Sequence, residues 1–308
     1  MTSQSLRHDE DQREALPRQR TLFRSLVATA RPRQWIKNLL VFAAPATAGV
    51  LLEPDALARA VIAFVAFCMA SSAMYFLNDV KDRVRDTAHP TKRLRPMAAG
   101  DLSRRDAWAA AIALIVTAVV IAATGVGAAL AGAVVAYLVL ATAYTYRLKD
   151  IVLVDVFAVA ATFVLRAAAG GLAVGVYLSS WFLLVACFGA LFVVTGRRFG
   201  EFRALQDSRG HHRSTLVDYS EPMLRSMLTS TSTVTITAYC IWAFEGQGSR
   251  NVLAALSIIP FVLGIYRYAM VGEAGAGGSP EDVFLRDRFL QITCILWLSC
   301  VVAGVYLG

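Results

Sequence analysis

The sequence predicts an all-α polytopic membrane protein that crosses the bilayer about nine times. Of its 308 residues, 57% are hydrophobic and only 17% are charged, a balance more apolar than a soluble domain of this length shows. Apolar stretches of about 20 residues, long enough to span a bilayer, recur along the chain. The polar residues are gathered between these stretches. We therefore expect about nine transmembrane helices around a central polar cavity that opens to the cytoplasm.

The apolar stretches give the order of the elements. Residues 1–27 are polar and charged, so they are predicted to form a disordered cytoplasmic tail, and residues 28–308 to form a single transmembrane domain. The first candidate span has the weakest pattern because it is short and Pro45 interrupts it. The candidate spans are residues 36–53, 57–77, 106–124, 128–146, 151–172, 181–196, 226–244, 252–270 and 289–307.

The positive charges predict the orientation. With the N-terminus in the cytoplasm, all of the 30 Lys and Arg residues except Arg59, Arg166 and Arg250 fall on the inner side. This places a multi-pass protein in the cell membrane with its N-terminus and polar loops cytoplasmic. The net charge of +8 then reflects topology and phosphate binding, and not nucleic-acid binding. A homo-oligomer is compatible with this pattern.

The most polar stretch in the body of the chain runs from Asn78 to Pro96. Asp79, Asp82 and Asp86 are separated by three and then four residues, so on a helix they share one face, next to Asn78. Oxygen ligands of this kind suit Mg²⁺, which is commonly held by one or two protein carboxylates while substrate phosphates supply further oxygens. The three aspartates are therefore candidate metal ligands and catalytic residues, and Asn78 is a candidate substrate contact.

A basic cluster follows the acidic residues. Lys92, Arg93 and Arg95 come directly after the pair His89–Pro90, which is predicted to end the helix. Acidic residues that can bind a metal, next to basic residues that can bind phosphate, indicate a site for a diphosphate. The alternative is a solvated loop between two apolar helices, which would show the same charges without chemistry.

Two flanking segments contain further candidates for substrate binding. Lys37 and Asn38 lie either at the mouth of the polar cavity or in an interfacial anchor of the first span. Tyr144, Tyr146 and Lys149 end the fourth span, where tyrosines form an interfacial belt or contact a phosphorylated substrate.

Ionisable residues in the fifth span and in the loop after the sixth complete the candidate set. Asp155 and Arg166 are eleven residues apart, so they share one helix face, and they either line the cavity or bind other helices. The loop 196–220 is either a cytosolic hairpin or a second part of an anionic-substrate site. Its candidates are Arg197, Arg198, Glu201 and Arg213.

The pattern NDxxDxxxD at Asn78–Asp86 resembles the first acidic motif of the UbiA-like intramembrane prenyltransferases. The segments RPRQWIKN, NDVKDRVRDTAHPTKRLRP and TGRRFGEF are more specifically similar to a phosphoribosyltransferase branch of that superfamily. The resemblance covers residue 28 to the end. It implies nine helices around a cavity and a Mg²⁺-dependent transfer of 5-phosphoribose from phosphoribosyl diphosphate to a polyprenyl phosphate such as decaprenyl phosphate. The product would supply cell-wall arabinan synthesis.

One departure from the superfamily favours this branch. The aromatic prenyltransferases have a second motif, DxxxD, between the sixth and seventh spans, whereas this loop has five arginines and no DxxxD. A basic replacement suits a sugar with an additional phosphate. Phe199 and Gly200 depart from the branch, which would have a Tyr and a small residue there. The alternatives are an aromatic polyprenyltransferase and, from another class, a membrane transporter that uses the charges in the fifth span.

Overall fold

The computed structural model describes residues 20–206, 216, 218–245, 252–273 and 280–307, and within these ranges every regular element is a helix. Short 3₁₀ helices cover Pro32–Phe42, Lys92–Leu94 and Leu148–Asp150. The α-helices are α1 Leu22–Ala30, α2 Ala43–Thr47, α3 Pro54–Thr87, α4 Pro96–Ala99, α5 Arg104–Gly125, α6 Ala128–Tyr146, α7 Val154–Val174, α8 Ser180–Gln206, α9 Glu221–Glu245, α10 Val252–Leu256, α11 Ile258–Glu273, α12 Pro280–Arg286 and α13 Arg288–Leu307.

Seven of the described helical segments are long and apolar enough to cross a membrane. They confirm the predicted all-helical, multi-span class. The segments are Pro54–Thr87, Arg104–Gly125, Ala128–Tyr146, Val154–Val174, Ser180–Arg203, Val252–Glu273 and Arg288–Leu307.

Two predicted spans are not among these seven. The predicted span 36–53 is a 3₁₀ helix, Pro32–Phe42, continued by the five-residue α2, and its helical part ends at Thr47. The predicted span 226–244 lies inside α9, but frequent Ser and Thr residues make that helix less apolar than the others. Both segments are therefore helical, while their length or composition differs from that of a regular span.

The folded part also begins earlier than predicted. Helix α1 starts at Leu22, inside the segment 1–27 that we assigned to a tail, and residues 1–19 lie outside the described residues.

Local sequence signals explain several helix ends. The side chain of Ser103 accepts a hydrogen bond of 3.1 Å from the backbone N–H of Asp106 and thereby caps the start of α5. Gly127 joins α5 to α6 with a φ of 138°, a backbone conformation that favours glycine. This short connection makes α5 and α6 an antiparallel hairpin.

Helix α7 lies at the centre of the bundle and contacts α3, α6, α8 and the first 3₁₀ helix. At Gly170 a Cβ atom would lie 1.7 Å from the carbonyl oxygen of Val41, so only glycine permits the two backbones to approach this closely. One apolar core joins α3, α5 and α6, and another joins α7, α8 and α9. The central helix thereby fixes the first 3₁₀ helix beside the polar end of α3.

Helix α3 is longer than a bilayer requires. Its 34 residues extend about 51 Å at 1.5 Å per residue, whereas the hydrocarbon core is about 30 Å thick. The last turns, which contain the acidic residues, therefore project beyond the apolar part of the bundle.

Candidate active site

Three carboxylates lie in the last three turns of α3, as the helical spacing predicted. Asp79 and Asp86 are buried, with 1% and 4% of their surface exposed, whereas the side chain of Asp82 is 28% exposed. Each carboxylate binds a cationic side chain from another segment of the chain. These ion pairs offset part of the cost of removing the acids from water.

Two arginines bind the buried pair. Nη2 of Arg31 lies 2.6 Å from Oδ1 of Asp79. Nη1 of Arg95 lies 2.7 Å from Oδ2 of Asp86 and 3.4 Å from Oδ1 of Asp79. A single nitrogen atom thus touches both carboxylates, which shows that the two acids can share one cation.

This donor set fits Mg²⁺ in one particular way. In the described part of the chain, no three His, Cys, Asp or Glu side chains converge closely enough to form a metal cage. Mg²⁺ needs no such cage, because it retains waters and takes one or two carboxylates together with phosphate oxygens. The shared position between Asp79 and Asp86, with Asp82 one turn from Asp79, offers that number of protein ligands.

The third carboxylate is positioned by the end of α6. Nζ of Lys149 lies 3.3 Å from Oδ1 of Asp82. Thr145 fixes this contact, since its hydroxyl donates to Oδ1 of Asn78 at 2.7 Å and its carbonyl accepts from Nζ of Lys81 at 2.5 Å. Asn78, a predicted substrate contact, therefore holds α6 against α3.

The tyrosines at the end of α6 differ in their surroundings. The ring of Tyr146 lies 4.6 Å below Nζ of Lys81 and is 44% exposed. The hydroxyl of Tyr144 accepts a long hydrogen bond of 3.5 Å from Nη2 of Arg198. Tyr144 therefore belongs to a polar network with α8, and Tyr146 to the surface of α6.

The two candidates in the first 3₁₀ helix also have different surroundings. Nζ of Lys37 donates to Oε1 of Gln34 at 2.6 Å near the surface. Asn38 is 1% exposed, and its Oδ1 accepts from Nε of Arg166 at 2.7 Å. Arg166 also donates to the hydroxyl of Tyr137 and lies 4.5 Å from its ring centre. Asn38 and Arg166 form a buried contact between helices. Of the two roles that we considered for Arg166, the structure therefore shows the one in which it binds another helix.

Asp155 lies in a second buried network, separate from Arg166. Its carboxylate is fully buried and accepts from Nε of Arg198 at 2.8 Å and from the hydroxyl of Tyr219 at 2.7 Å. The same hydroxyl accepts from the backbone N–H of Leu153 at 2.8 Å. Burial, followed by the hydrogen bond to Asp155, raises the pKa of Tyr219, so its hydroxyl remains a donor. Asp155 therefore anchors α8 and the segment before α9.

This network ends at a partly exposed arginine. Arg198 Nη1 donates to Oε2 of Glu201 at 2.5 Å, and Arg197 Nε donates to Oε1 of the same carboxylate at 2.8 Å. The side chain of Arg198 is 3% exposed, whereas that of Arg197 is 41% exposed. Arg197 is thus the more accessible cation of the pair.

The remaining predicted phosphate contacts are less confined. Lys92 and Arg93 are exposed on the 3₁₀ helix that follows α3. Arg213 lies outside the described residues.

A large apolar cavity occupies the bundle beside these networks. It encloses about 480 Å³ between the first 3₁₀ helix and helices α7, α8, α9, α11 and α13. Aromatic side chains provide much of its wall, among them Phe163, Tyr239, Phe261 and Trp297. Neither Asp155 nor Arg166 is among its lining residues. The cavity can therefore accommodate a hydrocarbon chain and offers little to an ion.

Sequence analysis missed three residues of the site. Arg31, which has a φ of 53° and binds Asp79, was not among the predicted site residues. Lys81 and Tyr219 were not singled out. The position of Lys81 between two aspartates of the acidic stretch was a signal that could have identified it. No local pattern pointed to Tyr219.

Comparison with known proteins identifies the family. The model of the UbiA prenyltransferase family matches residues 39–293. The decaprenyl-phosphate phosphoribosyltransferase of Mycobacterium tuberculosis is 40% identical over 291 residues, with 93% of this chain and 96% of the relative covered. The enzyme with the same name from Corynebacterium glutamicum is 37% identical over 304 residues, with 97% and 91% covered.

Solved structures show the same fold. A UbiA homolog from Archaeoglobus fulgidus bound to GPP and Mg²⁺ aligns with a TM-score of 0.70 at 18% identity, covering 91% of this chain and 98% of that chain. A digeranylgeranylglyceryl phosphate synthase structure aligns with a TM-score of 0.66 at 15% identity, covering 93% and 99%. The sequence and structural matches extend over most of the chain, and the protein therefore belongs to the UbiA prenyltransferase family.

Proposed function

We propose that this protein transfers 5-phosphoribose from phosphoribosyl diphosphate to decaprenyl phosphate within the membrane. The observation that carries the proposal is the set of three carboxylates at the end of α3, each bound by a cation from a different segment, in a bundle that also encloses an apolar cavity. The names of relatives that are 37–40% identical support the same activity. The product, decaprenylphosphoryl-5-phosphoribose, would be a precursor for cell-wall arabinan.

The paired charges explain how the site would receive a diphosphate. Arg31, Arg95 and Lys149 are held near the acids by ion pairs that are only partly buried. Phosphate oxygens compete well for such cations, since arginine binds them as a fork and lysine binds them as a point charge. An incoming diphosphate would take over these cations while the carboxylates remain available to a metal.

Mg²⁺ bound by Asp79, Asp82 and Asp86 would neutralise the charge that develops on the departing diphosphate. Solved members of the fold contain this metal, which fits the donor set described above. Lys92, Arg93 and Arg197 are exposed cations that would contact the outer phosphates of the donor.

The reaction exchanges one bond at carbon 1 of ribose. The bond from this carbon to the diphosphate oxygen breaks with its electron pair on the diphosphate, and an acceptor phosphate oxygen supplies the pair for the new bond. The acceptor phosphate is already ionised at neutral pH, so no strong general base is needed. Positioning of the two substrates therefore dominates the contribution of the protein.

The apolar cavity would receive part of the acceptor lipid. A decaprenyl chain needs a wall of hydrocarbon and aromatic groups, and the cavity between α7, α8, α9, α11 and α13 supplies one. The charged head would then lie toward the ion-paired end of α3. The sugar donor would arrive from the water on the same side.

The distribution of Lys and Arg supports a nine-span topology with the site open to the cytoplasm. In this arrangement the first 3₁₀ helix with α2, and α9, would be the two spans that add to the seven more apolar ones. The protein would then be a multi-pass component of the cell membrane with a cytoplasmic N-terminus.

The test uses purified protein with Mg²⁺, decaprenyl phosphate and phosphoribosyl diphosphate labelled in the ribose. We expect label to enter the organic phase, and we expect EDTA to prevent it. A matched reaction with labelled ribose 5-phosphate, which lacks the diphosphate, should transfer nothing. Label that stays in water, while a prenyl diphosphate reacts with an aromatic acceptor, would contradict the proposal. Label transported into sealed vesicles without entering lipid would indicate a transporter.

A further inference from the structure

Helix α1 packs Leu26 and Ala30 against the core, yet it also buries two polar residues and exposes large apolar ones. Ser25 and Thr29 are fully buried against the rest of the protein. Phe23 and Val27 are 75% and 43% exposed. A helix on a water-facing surface buries its apolar residues and exposes its polar ones. The outer face of α1 is therefore suited to an apolar environment.

Helical geometry places the exposed apolar residues and the buried polar residues in two separate stripes along α1. Phe23 and Val27 are four residues apart and share one stripe, and Ser25 and Thr29 share another. At about 100° per residue the two stripes lie on opposite sides of the helix. The hydroxyl of Thr29 donates to the carbonyl of Ser25 at 2.9 Å, so this buried hydroxyl is satisfied within the helix.

The charges beside the apolar stripe are all positive. Arg20, Arg24 and Arg33 are exposed, and no Asp or Glu occurs between Arg20 and Leu52. A short helix with an apolar stripe and flanking arginines is typical of a segment that lies in the membrane interface. Arginines at this depth bind the phosphates of anionic lipids.

The fold fixes the direction of the apolar stripe. The hydroxyl of Ser72 on α3 donates to the carbonyl of Ala30 at 3.0 Å, which attaches the end of α1 to the bundle. The next residue, Arg31, binds Asp79 and lies 4.7 Å from the ring centre of Tyr75. Helix α1 therefore lies at the level of the carboxylates, where the chain turns into the membrane-spanning bundle.

We propose that α1 is an interfacial helix that places Phe23 and Val27 among lipid acyl chains and binds anionic lipid phosphates through Arg20 and Arg24. The uninterrupted positive charge favours a lipid surface over a second copy of this chain, which would bring no acidic segment of α1 to pair with these arginines. The helix thus anchors the protein beside Arg31 and the acidic end of α3.

Collisional quenching of a new tryptophan tests the lipid contact. Phe23→Trp protein is reconstituted in vesicles that contain brominated phosphatidylcholine and phosphatidylglycerol, and Val84→Trp serves as the matched control. Val84 is also an exposed apolar residue, 84% accessible, but it lies between Arg83 and Arg85 on the polar end of α3. The emission of the wild-type protein, with its five tryptophans, is subtracted from both.

We expect the brominated lipid to quench the added emission of Phe23→Trp and aqueous iodide to quench that of Val84→Trp. Iodide quenching of Phe23→Trp would overturn the proposal, because the stripe would then face water. Protection of Phe23→Trp from both quenchers would also overturn it, because protein would then cover the stripe.

The role of the arginines is tested in the same assay. With Arg24→Gln added to Phe23→Trp, we expect the ratio of lipid-accessible to water-accessible emission to fall about fivefold in anionic vesicles. In vesicles of phosphatidylcholine alone the substitution should leave the ratio unchanged. An equal fall in both kinds of vesicle would contradict anionic-lipid binding.

Discussion

Asp155 and Arg198 form an ion pair of 2.8 Å that is almost completely buried, with the two side chains 0% and 3% exposed. Tyr219 completes it by donating its hydroxyl to the other carboxylate oxygen. Arg198 in turn holds Glu201, which also binds Arg197. The partly exposed Arg197 is thus connected through two side chains, those of Glu201 and Arg198, to the fully buried carboxylate of Asp155.

Tyr219→Phe should weaken this connection without changing the shape of the side chain. Asp155 would lose one of its two partners, which costs roughly 1–3 kcal/mol of unfolding free energy. We expect a lower Tm together with a higher KM for phosphoribosyl diphosphate. Tyr177→Phe is the matched control, because Tyr177 is 87% exposed. An unchanged Tm in Tyr219→Phe would show that the hydroxyl contributes nothing to the network.

Asp79→Asn and Asp82→Asn should both abolish Mg²⁺-dependent turnover but differ in stability. Asp79 is buried between two arginines, so its neutralisation should lower the unfolding free energy by roughly 1–3 kcal/mol after allowance for the partial exposure of both arginines. Asp82 is partly exposed and lies 3.3 Å from Nζ of Lys149, so its neutralisation should change the Tm less. Turnover and Tm are measured for each. Retained activity in both variants would contradict the assignment of the metal ligands.

Arg197→Gln and Arg166→Gln should have different effects, the first on substrate binding and the second on the stability of the fold. Arg197 is partly exposed, so its loss should raise the KM for phosphoribosyl diphosphate by about tenfold, the effect of one charged hydrogen bond, with little change in Tm. Arg166 is buried and binds Asn38, so its loss should lower the Tm. Steady-state kinetics and thermal unfolding of both proteins provide the comparison. The reverse pattern would contradict both assignments.

Ala186→Phe should fill part of the apolar cavity. Ala186 is one of its lining residues, and an aromatic ring there would occupy space that we assign to the lipid tail. We expect a higher KM for decaprenyl phosphate and an unchanged KM for phosphoribosyl diphosphate. Ala109→Phe, on α5 and away from the cavity lining, is the control. Equal effects on both substrates would argue against this location of the tail.

Asp287 should contribute to stability in a pH-dependent way. Its Oδ2 accepts from Nη2 of Arg267 at 2.9 Å, and its Oδ1 accepts from the backbone N–H of Leu290 at 2.9 Å. The hydrogen bond from Arg267 is the main reason that the pKa of Asp287 is lowered. The folded state therefore holds the proton less tightly than the unfolded state. The resulting stability is fully present above the pKa of the carboxyl in the unfolded state, about 3.9. It is lost as the pH falls through the lower pKa of the folded state.

Asp287→Asn tests this effect, because asparagine can still cap α13 but cannot form the ion pair. We expect the difference in Tm between wild type and variant to be largest near neutral pH and to shrink as the pH falls below about 4. A difference that stays constant over this range would show that the charge of Asp287 is not responsible.

The sequence predicted that the three acidic residues lie together at the end of one helix, because helical periodicity is a local property. Hydropathy likewise predicted the seven apolar spans, since each depends on about 20 consecutive residues. The first 3₁₀ helix was not foreseen, because the close approach of Gly170 to Val41 that fixes it joins distant parts of the chain. Local patterns therefore gave the elements, and packing decided their conformation where two backbones meet.

The sequence by itself determined an all-helical membrane protein with an acidic helix end and a nearby basic cluster. Only the tertiary structure decided which charges meet. Arg31 lies 48 residues from Asp79, and Lys149 lies 67 residues from Asp82, so neither pair has a local signature. Tertiary packing also assigned Arg166 to Asn38, 128 residues away, and not to Asp155 on its own helix. The physical reason is that an ion pair depends on distances of a few ångströms in space, which the helix bundle sets and the spacing along the chain does not.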